Sequence, residues 1–251
     1  RGVLEVRSNV LALALNSGRR SEWYVAVFQA NRGRVLRTVD GGKTFREIYF
    51  TPLERFGVFD LSYDRNRGAL AIATGQGGLL ETRDGGRTWR VIRWFADGLV
   101  RLFVDPGDPS RWYAASSKGN LFRTSDAGDT WADITAGFRS FSGSRENQRW
   151  SIDRDGAVYL GSNHGLLRSR DGGKTFAAPP VIIPPDALPV RAVAIDPHDT
   201  SRTLIAANGQ LYGSEDNGES WSIFSSPSAK RITHLLFDAG QSNIIYAVVS
   251  P

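Results

Sequence analysis

Residues 37–45 read R-T-V-D-G-G-K-T-F, and the phrase returns four times. Residues 81–89 read E-T-R-D-G-G-R-T-W, 123–131 R-T-S-D-A-G-D-T-W, 168–176 R-S-R-D-G-G-K-T-F and 213–221 G-S-E-D-N-G-E-S-W. The central aspartates, Asp40, Asp84, Asp126, Asp171 and Asp216, are separated by 44, 42, 45 and 45 residues. A period of about 40–45 residues is the signature of a propeller whose blades are small four-stranded sheets. The expected fold is therefore all-β.

Asp followed by Gly-Gly, Ala-Gly or Asn-Gly between β-prone runs is a hairpin turn. The carboxylate can accept bonds from turn amides, and glycine takes the positive-φ position at low cost. The Thr or Ser four residues on can tie down the other arm. The closing aromatics, Phe45, Trp89, Trp131, Phe176 and Trp221, can each bury a large apolar face between blades. These readings make the five aspartates structural. A calcium loop would gather several oxygen ligands, whereas each repeat supplies one reliable carboxylate, so no metal is expected.

Outward from the turns, the apolar pattern is alternation or short β-branched and aromatic runs, with no sustained helical period. Each repeat divides into strands A to D. In the third, 100–104 and 112–116 flank the turn Asp105-Pro-Gly-Asp-Pro, 120–124 leads into the repeated turn, and strand D begins at Thr130. The fifth gives 190–195, 203–207, 211–214 and 221–224. The others give 10–15, 23–28 and 34–38; then 58–63, 69–74 and 78–82; then 149–152, 158–161 and 165–169. Beyond the fifth turn, 232–237 and 244–249 repeat the A–B pattern, and 3–6 is a spare strand at the other end. The economical arrangement is a single domain over 1–251. It would have six blades of mostly four antiparallel strands, the sixth closed by N- and C-terminal strands and leaving no exposed edge.

The repeated phrase resembles the Asp-box, or BNR repeat, S/T-x-D-x-G-x-T-W/F, and the resemblance covers nearly the whole chain. Families carrying it include sialidases, xyloglucan-type glycoside hydrolases, sortilin-type receptors and the propeller assembly factors of photosystem II. The box implies a fold and not an activity. In its enzymes the active site lies on the face away from the boxes. The assembly propellers use an arginine-rich face, and residues 81–89 are similar to theirs. Asp-box proteins are commonly exported. The resemblance therefore implies an extracytoplasmic chain, periplasmic, secreted or lipid-anchored after loss of an N-terminal signal.

Composition narrows the chemistry. The chain has 251 residues, 41% hydrophobic and 11% aromatic, with a net charge of +5. It has no apolar run long enough for a transmembrane helix. There is no cysteine, which excludes disulfides, thiolate catalysis and cysteine metal sites. Four of the 31 basic residues are lysine, at 43, 118, 174 and 230, leaving 27 arginines. Guanidinium groups suit carboxylates and phosphates. They are scattered and fall in no nucleic-acid motif, so no nucleic-acid partner is expected.

The candidate surface is the B–C turns and D–A connections. Two connections are long. Residues 135–148 carry Phe138, Arg139, Phe141, Arg145 and Glu146, and 179–189 is proline-rich with Asp186. Long loops favour function. Arginines recur at the starts of inner strands, as Arg55, Arg101, Arg149, Arg191 and Arg231, and His164 lies in a B–C turn. Arg101, Arg139, Arg145, Arg149, His164, Arg191 and Arg231 are the candidate binding residues for a protein or glycan, with an acidic partner favoured. No catalytic residue or cofactor is assigned. The sialidase F/Y-R-I-P motif is absent. A-I-D-P at 194–197 is shared with xyloglucan-type enzymes, but Asp105 and Asp196 sit before proline and read as turn formers. The expected function is a non-enzymatic binding or scaffold module, with a glycoside hydrolase-like or carbohydrate-binding propeller as the alternative.

Overall fold

The structure, a computed structural model, describes residues 9–226 and 230–250. Its strands are β1 Asn9–Leu15, β2 Trp23–Gln29, β3 Arg32–Thr38, β4 Arg46–Phe50, β5 Val58–Asp64, β6 Ala69–Thr74, β7 Gly78–Thr82, β8 Arg90–Trp94, β9 Leu99–Val104, β10 Trp112–Ser116, β11 Leu121–Thr124, β12 Ala132–Asp133, β13 Arg149–Ile152, β14 Val158–Ser162, β15 Gly165–Ser169, β16 Val190–Ile195, β17 Thr203–Ala207, β18 Gln210–Ser214, β19 Ser222–Ser225, β20 Arg231–Phe237 and β21 Ile245–Ser250. Two short 3-10 turns interrupt the connections, at Thr135–Gly137 and Pro185–Ala187.

All sheets are antiparallel meanders. Those formed by β1–β4, β5–β8, β9–β12 and β16–β19 have four strands. The expected strands fall within a residue or two of those observed. The outer strand of the third sheet begins at Ala132 rather than Thr130 and spans Ala132–Asp133, and that of the fifth begins at Ser222. Among the described residues the β13–β15 sheet has three strands. A single bridge, Arg168 to Ala177, ties the chain to β15. The proline-rich strap 179–184 then leaves the sheet and turns Val181 and Ile183 inward against Tyr159, Leu166 and Tyr212, while Ile182 stays exposed. The sixth sheet contains β20 and β21 among the described residues. The expected closing strand at residues 3–6 lies outside the described residues.

Two compact units result, residues 1–104 with 109–132, and 105–108 with 133–251. In each, the second strand of a sheet is sandwiched and almost wholly buried. β6 (ALAIAT), β10 (WYAAS), β14 (VYLGS) and β17 (TLIAA) have no exposed residue. Their alanines let neighbouring sheets approach, and bulky side chains fill the space between. In the first unit Ala14, Tyr24 and Ala26 meet Leu61, Leu70 and Ile72. In the second, Ala192, Leu204 and Ala206 meet Ile232, Leu235 and Phe237. Burying one such side chain contributes about 1.5–3 kcal/mol, so the stacked sheets carry the stability.

Candidate functional site

Antiparallel topology puts the A–B and C–D turns at one end of the strands and the B–C turns and D–A connections at the other. The repeated aspartates occupy the first end. Each is fully engaged within its own turn. Thr38 Oγ1 donates to Asp40 Oδ1 at 2.8 Å, and Thr44 donates through its amide to Oδ1 at 2.9 Å and through Oγ1 to Oδ2 at 2.6 Å. The same set recurs at Asp84, Asp126, Asp171 and Asp216. The hydroxyl two residues upstream also accepts the amide of the turn glycine, as at Gly86 to Thr82 (2.9 Å). This upstream hydroxyl, Thr38, Thr82, Thr124, Ser169 or Ser214, is the member of the motif whose role the sequence reading did not assign.

Both residues after each aspartate have positive φ, for example 71° and 88° at Gly85 and Gly86. That is the type I′ geometry favoured by hairpins. The bonds, led by the downstream hydroxyls of Thr44, Thr88 and Ser220, hold Asp40, Asp84 and Asp216 well below the ordinary carboxylate range; for Asp126 the Thr124 hydroxyl leads. At Asp171 burial is the largest single influence and acts upward, but the bonds from Thr175 and Ser169 prevail. Asp126, Asp171 and Asp216 lie at about 2. Two of the closing aromatics reach beyond their own turns. Trp89 donates from Nε1 to the Ile48 carbonyl of the preceding sheet at 3.0 Å, and Trp131 meets Phe95 edge-on at 5.3 Å. Asp105 and Asp196 are buried turn formers, accepting the amides of Gly107 and His198, each at 2.8 Å.

At the opposite end the inner strands share a feature with no mark in composition. β5, β9, β16 and β20 each shift register near their start, so that Phe59, Val100, Arg191 and Thr233 bulge out of the pairing. In the pair that follows, Asp60 faces Ala73, Arg101 faces Ala115, Ala192 faces Ala206 and His234 faces Val248. Arg149, facing Gly161, holds the matching position on β13. Bulges re-aim side chains and recur next to functional sites.

The candidate arginines separate accordingly. Arg149, Arg191 and Arg231 belong to the second unit, where Arg149 and Arg231 are each close enough to act on Arg191. Burial first, and then the charges of Arg231 and Arg149, hold the Arg191 guanidinium below its ordinary value. None of the three pairs with a carboxylate among the described residues. Arg149 is set by its surroundings. Its Nη1 donates to the Gln148 carbonyl at 2.9 Å, and the Gln148 amide donates to the Ser144 carbonyl at 3.1 Å. Ser144 Oγ donates to the Phe138 carbonyl, and Phe138 is wholly buried edge-on between Trp150 and Phe176. The 135–148 connection is thus an ordered buttress. His164 latches it further, with its ring 5.1 Å from Phe141 and Nδ1 3.1 Å from the Ser142 carbonyl, while Asn163 donates to Glu146 at 2.7 Å. Arg139 and Arg145 are exposed on this connection.

Arg101 behaves differently. It lies in the first unit, and its Nη1 is 3.2 Å from Asp60 Oδ2, a carboxylate 5% exposed. Asp60 also accepts the Leu61 and Leu102 amides, at 3.0 and 2.8 Å. Burial nonetheless raises its pKa. Arg55 precedes β5 at φ 66° and donates its amide to the Asn31 carbonyl.

No protein-family model matches the chain. Among solved structures it is similar to a GH74 enzyme from Niastella koreensis, with TM-score 0.76 and 18% identity over 96% of this chain and 44% of that one. It is also similar to YCF48 bound to D1 peptide, with TM-score 0.75 and 16% identity over 98% of this chain and 77% of that one. The fold is a β-propeller. In sequence, 100 residues are 32% identical to a xyloglucanase from Paenibacillus, covering 34% of this chain and 10% of that enzyme. A further 157-residue match is 24% identical to the photosystem II assembly lipoprotein Ycf48 of Picosynechococcus, covering 60% of this chain and 44% of that protein. The chain thus spans less than half the length of either curated relative. No group of His, Cys, Asp and Glu able to hold a metal ion occurs among the described residues. No described helix is long and apolar enough to cross a membrane.

Proposed function

We propose that this chain is a non-enzymatic binding or scaffold propeller whose repeats are Asp-boxes. It engages a protein partner through the strand ends opposite the aspartate turns, with Arg149, Arg191 and Arg231 as anchors for an acidic stretch. The observation that carries this reading is that β13 and β20, which bear Arg149 and Arg231, both pack beside β16, which bears Arg191, and that none of the three guanidinium groups pairs with a carboxylate among the described residues. Other arginines are neutralised within the fold, as Arg37 is by Glu22 and Arg202 by Asp196. Like charges held together raise the energy of the free protein, and an anionic ligand relieves it. Similarity to a propeller solved with a peptide supports a protein partner. Similarity to a lipoprotein supports an exported, lipid-anchored or periplasmic setting.

The test is fluorescence anisotropy of a labelled hexaglutamate peptide at low salt. The wild type is expected to bind, with affinity falling as salt rises. Charge reversal at Arg149, Arg191 and Arg231 to Glu is expected to abolish binding without altering the circular dichroism spectrum. Equal binding by the reversed variant would overturn the reading. The xyloglucanase likeness supports a second one, a carbohydrate-active propeller. Release of reducing ends from xyloglucan, without peptide binding, would replace the first reading by the second.

A further inference from the structure

The bulge positions carry a second chemistry in the first unit. Where the β16 strand bulges Arg191, β5 and β9 bulge Phe59 and Val100. β1 shifts register between Val10 and Ala12, leaving Leu11 at the corresponding place. These side chains are 39%, 40% and 36% exposed. Their preceding neighbours in β5 and β9, Val58 and Leu99, are fully buried. An apolar residue at a bulge, open to water beside a buried one, is not there to fill the core.

The surface beneath Leu11 and Phe59 is backbone. Gly57 and Gly75 are joined by the Gly75 amide donating to the Gly57 carbonyl at 2.9 Å. A methyl group on Gly57 would lie 3.2 Å from both Leu11 Cδ1 and Phe59 Cζ, and one on Gly75 would lie 2.7 Å from Phe59 Cε2. Leu11 and Phe59 therefore converge over a glycine floor that any side chain would crowd. β9 packs next to β5, where the Leu102 amide reaches Asp60. Arg101 follows Val100 directly and keeps half its side chain exposed although it pairs with Asp60. A cation thus borders the apolar patch.

We propose that Leu11, Phe59 and Val100 form an apolar subsite that takes an aromatic or large aliphatic side chain of a protein segment, with Arg101 receiving an adjacent carboxylate. This rests on the reading of the chain as a binder of acidic protein segments. It adds that charge alone does not define the ligand. The adjacency of one guanidinium to the patch is what specifies an acidic residue beside the apolar one, rather than a purely greasy or purely anionic stretch.

The test is selection from a random heptapeptide phage library on the wild type, on Phe59→Ser, on Val100→Thr and on the Arg149/Arg191/Arg231 reversal. Thermal melts establish that each variant is folded. Val100→Thr is nearly isosteric, so it stays informative if Phe59→Ser unfolds. The wild type is expected to select peptides with an acidic residue next to a large apolar one. Both subsite variants are expected to keep the acidic preference and lose the apolar one at least tenfold in enrichment. The subsite is overturned if wild-type peptides lack an apolar position, or if the subsite variants retain it. If apolar peptides without acidic residues are selected, and the reversed variant selects them equally, the apolar pocket of Leu11, Phe59 and Val100 stands, while the role of Arg101 and the arginine-anchor reading both fall.

Discussion

At the scale of single residues, the turn aspartates show how much of a repeated side chain's bonding stays inside its own turn. Their engagement with the downstream Thr or Ser was legible because Asp before two positive-φ positions has few other uses. The upstream hydroxyl was not, since Thr or Ser entering a turn is common without any role. Asp84→Ala is expected to lower Tm by about 2–6 °C, comparable to removing a helix-capping side chain. It should leave hexaglutamate binding unchanged, because Asp84 bonds only within its turn. Loss of binding with Tm unaltered would show that the turns take part in recognition. Ala127 offers the reverse case. It sits at φ 55° where three of the five turns have glycine. A left-handed alanine costs about 1–2 kcal/mol, partly offset by the greater freedom that glycine loses. Ala127→Gly is therefore expected to stabilise by about 0.5–1 kcal/mol in urea denaturation.

At the scale of elements, strand positions were legible because alternating apolar runs stop at unmistakable turns. The bulges were not, since a slip in pairing leaves no trace in the type of residue that slips. That is why the sequence alone could not say which of the arginines at strand starts act together. Arg149 and Arg101 hold equivalent register positions, yet Asp60 on a neighbouring strand captures only Arg101. Such a partner cannot be foreseen without knowing which strands lie side by side. The 135–148 connection was flagged by its length, but its rigidity comes from Phe138. Truncating this wholly buried ring, Phe138→Ala, is expected to cost about 3–5 kcal/mol. The Ser144–Gln148–Arg149 relay should loosen with it. Hexaglutamate affinity measured well below the new Tm should then fall severalfold. Unchanged affinity would mean that Arg149 is placed by its own strand alone.

For the molecule as a whole, acid stability follows from two opposed groups of carboxylates. The turn aspartates are depressed, Asp126, Asp171 and Asp216 to about 2. An acid that is stronger in the folded state stabilises fully above its unfolded value, and that stability drains away as pH falls toward the folded one. Asp60 and Asp153 are raised by burial, so lowering the pH favours the folded chain through them. The five turns outnumber these two, and Tm is expected to decline from about pH 4 to pH 2. Asp126→Asn keeps an acceptor but removes the titration, and should make that decline shallower. A slope identical to wild type would show that Asp126 does not couple to folding. One further consequence belongs to the sheet that ends at β15. A three-stranded sheet leaves the backbone of its last strand short of a neighbour, and such edges recruit strands from other molecules. The segment that follows it in the chain contains Pro179, Pro180, Pro184 and Pro185, residues with no amide hydrogen to offer a neighbouring strand. Those prolines keep the strap itself from adding to the ladder as a fourth strand.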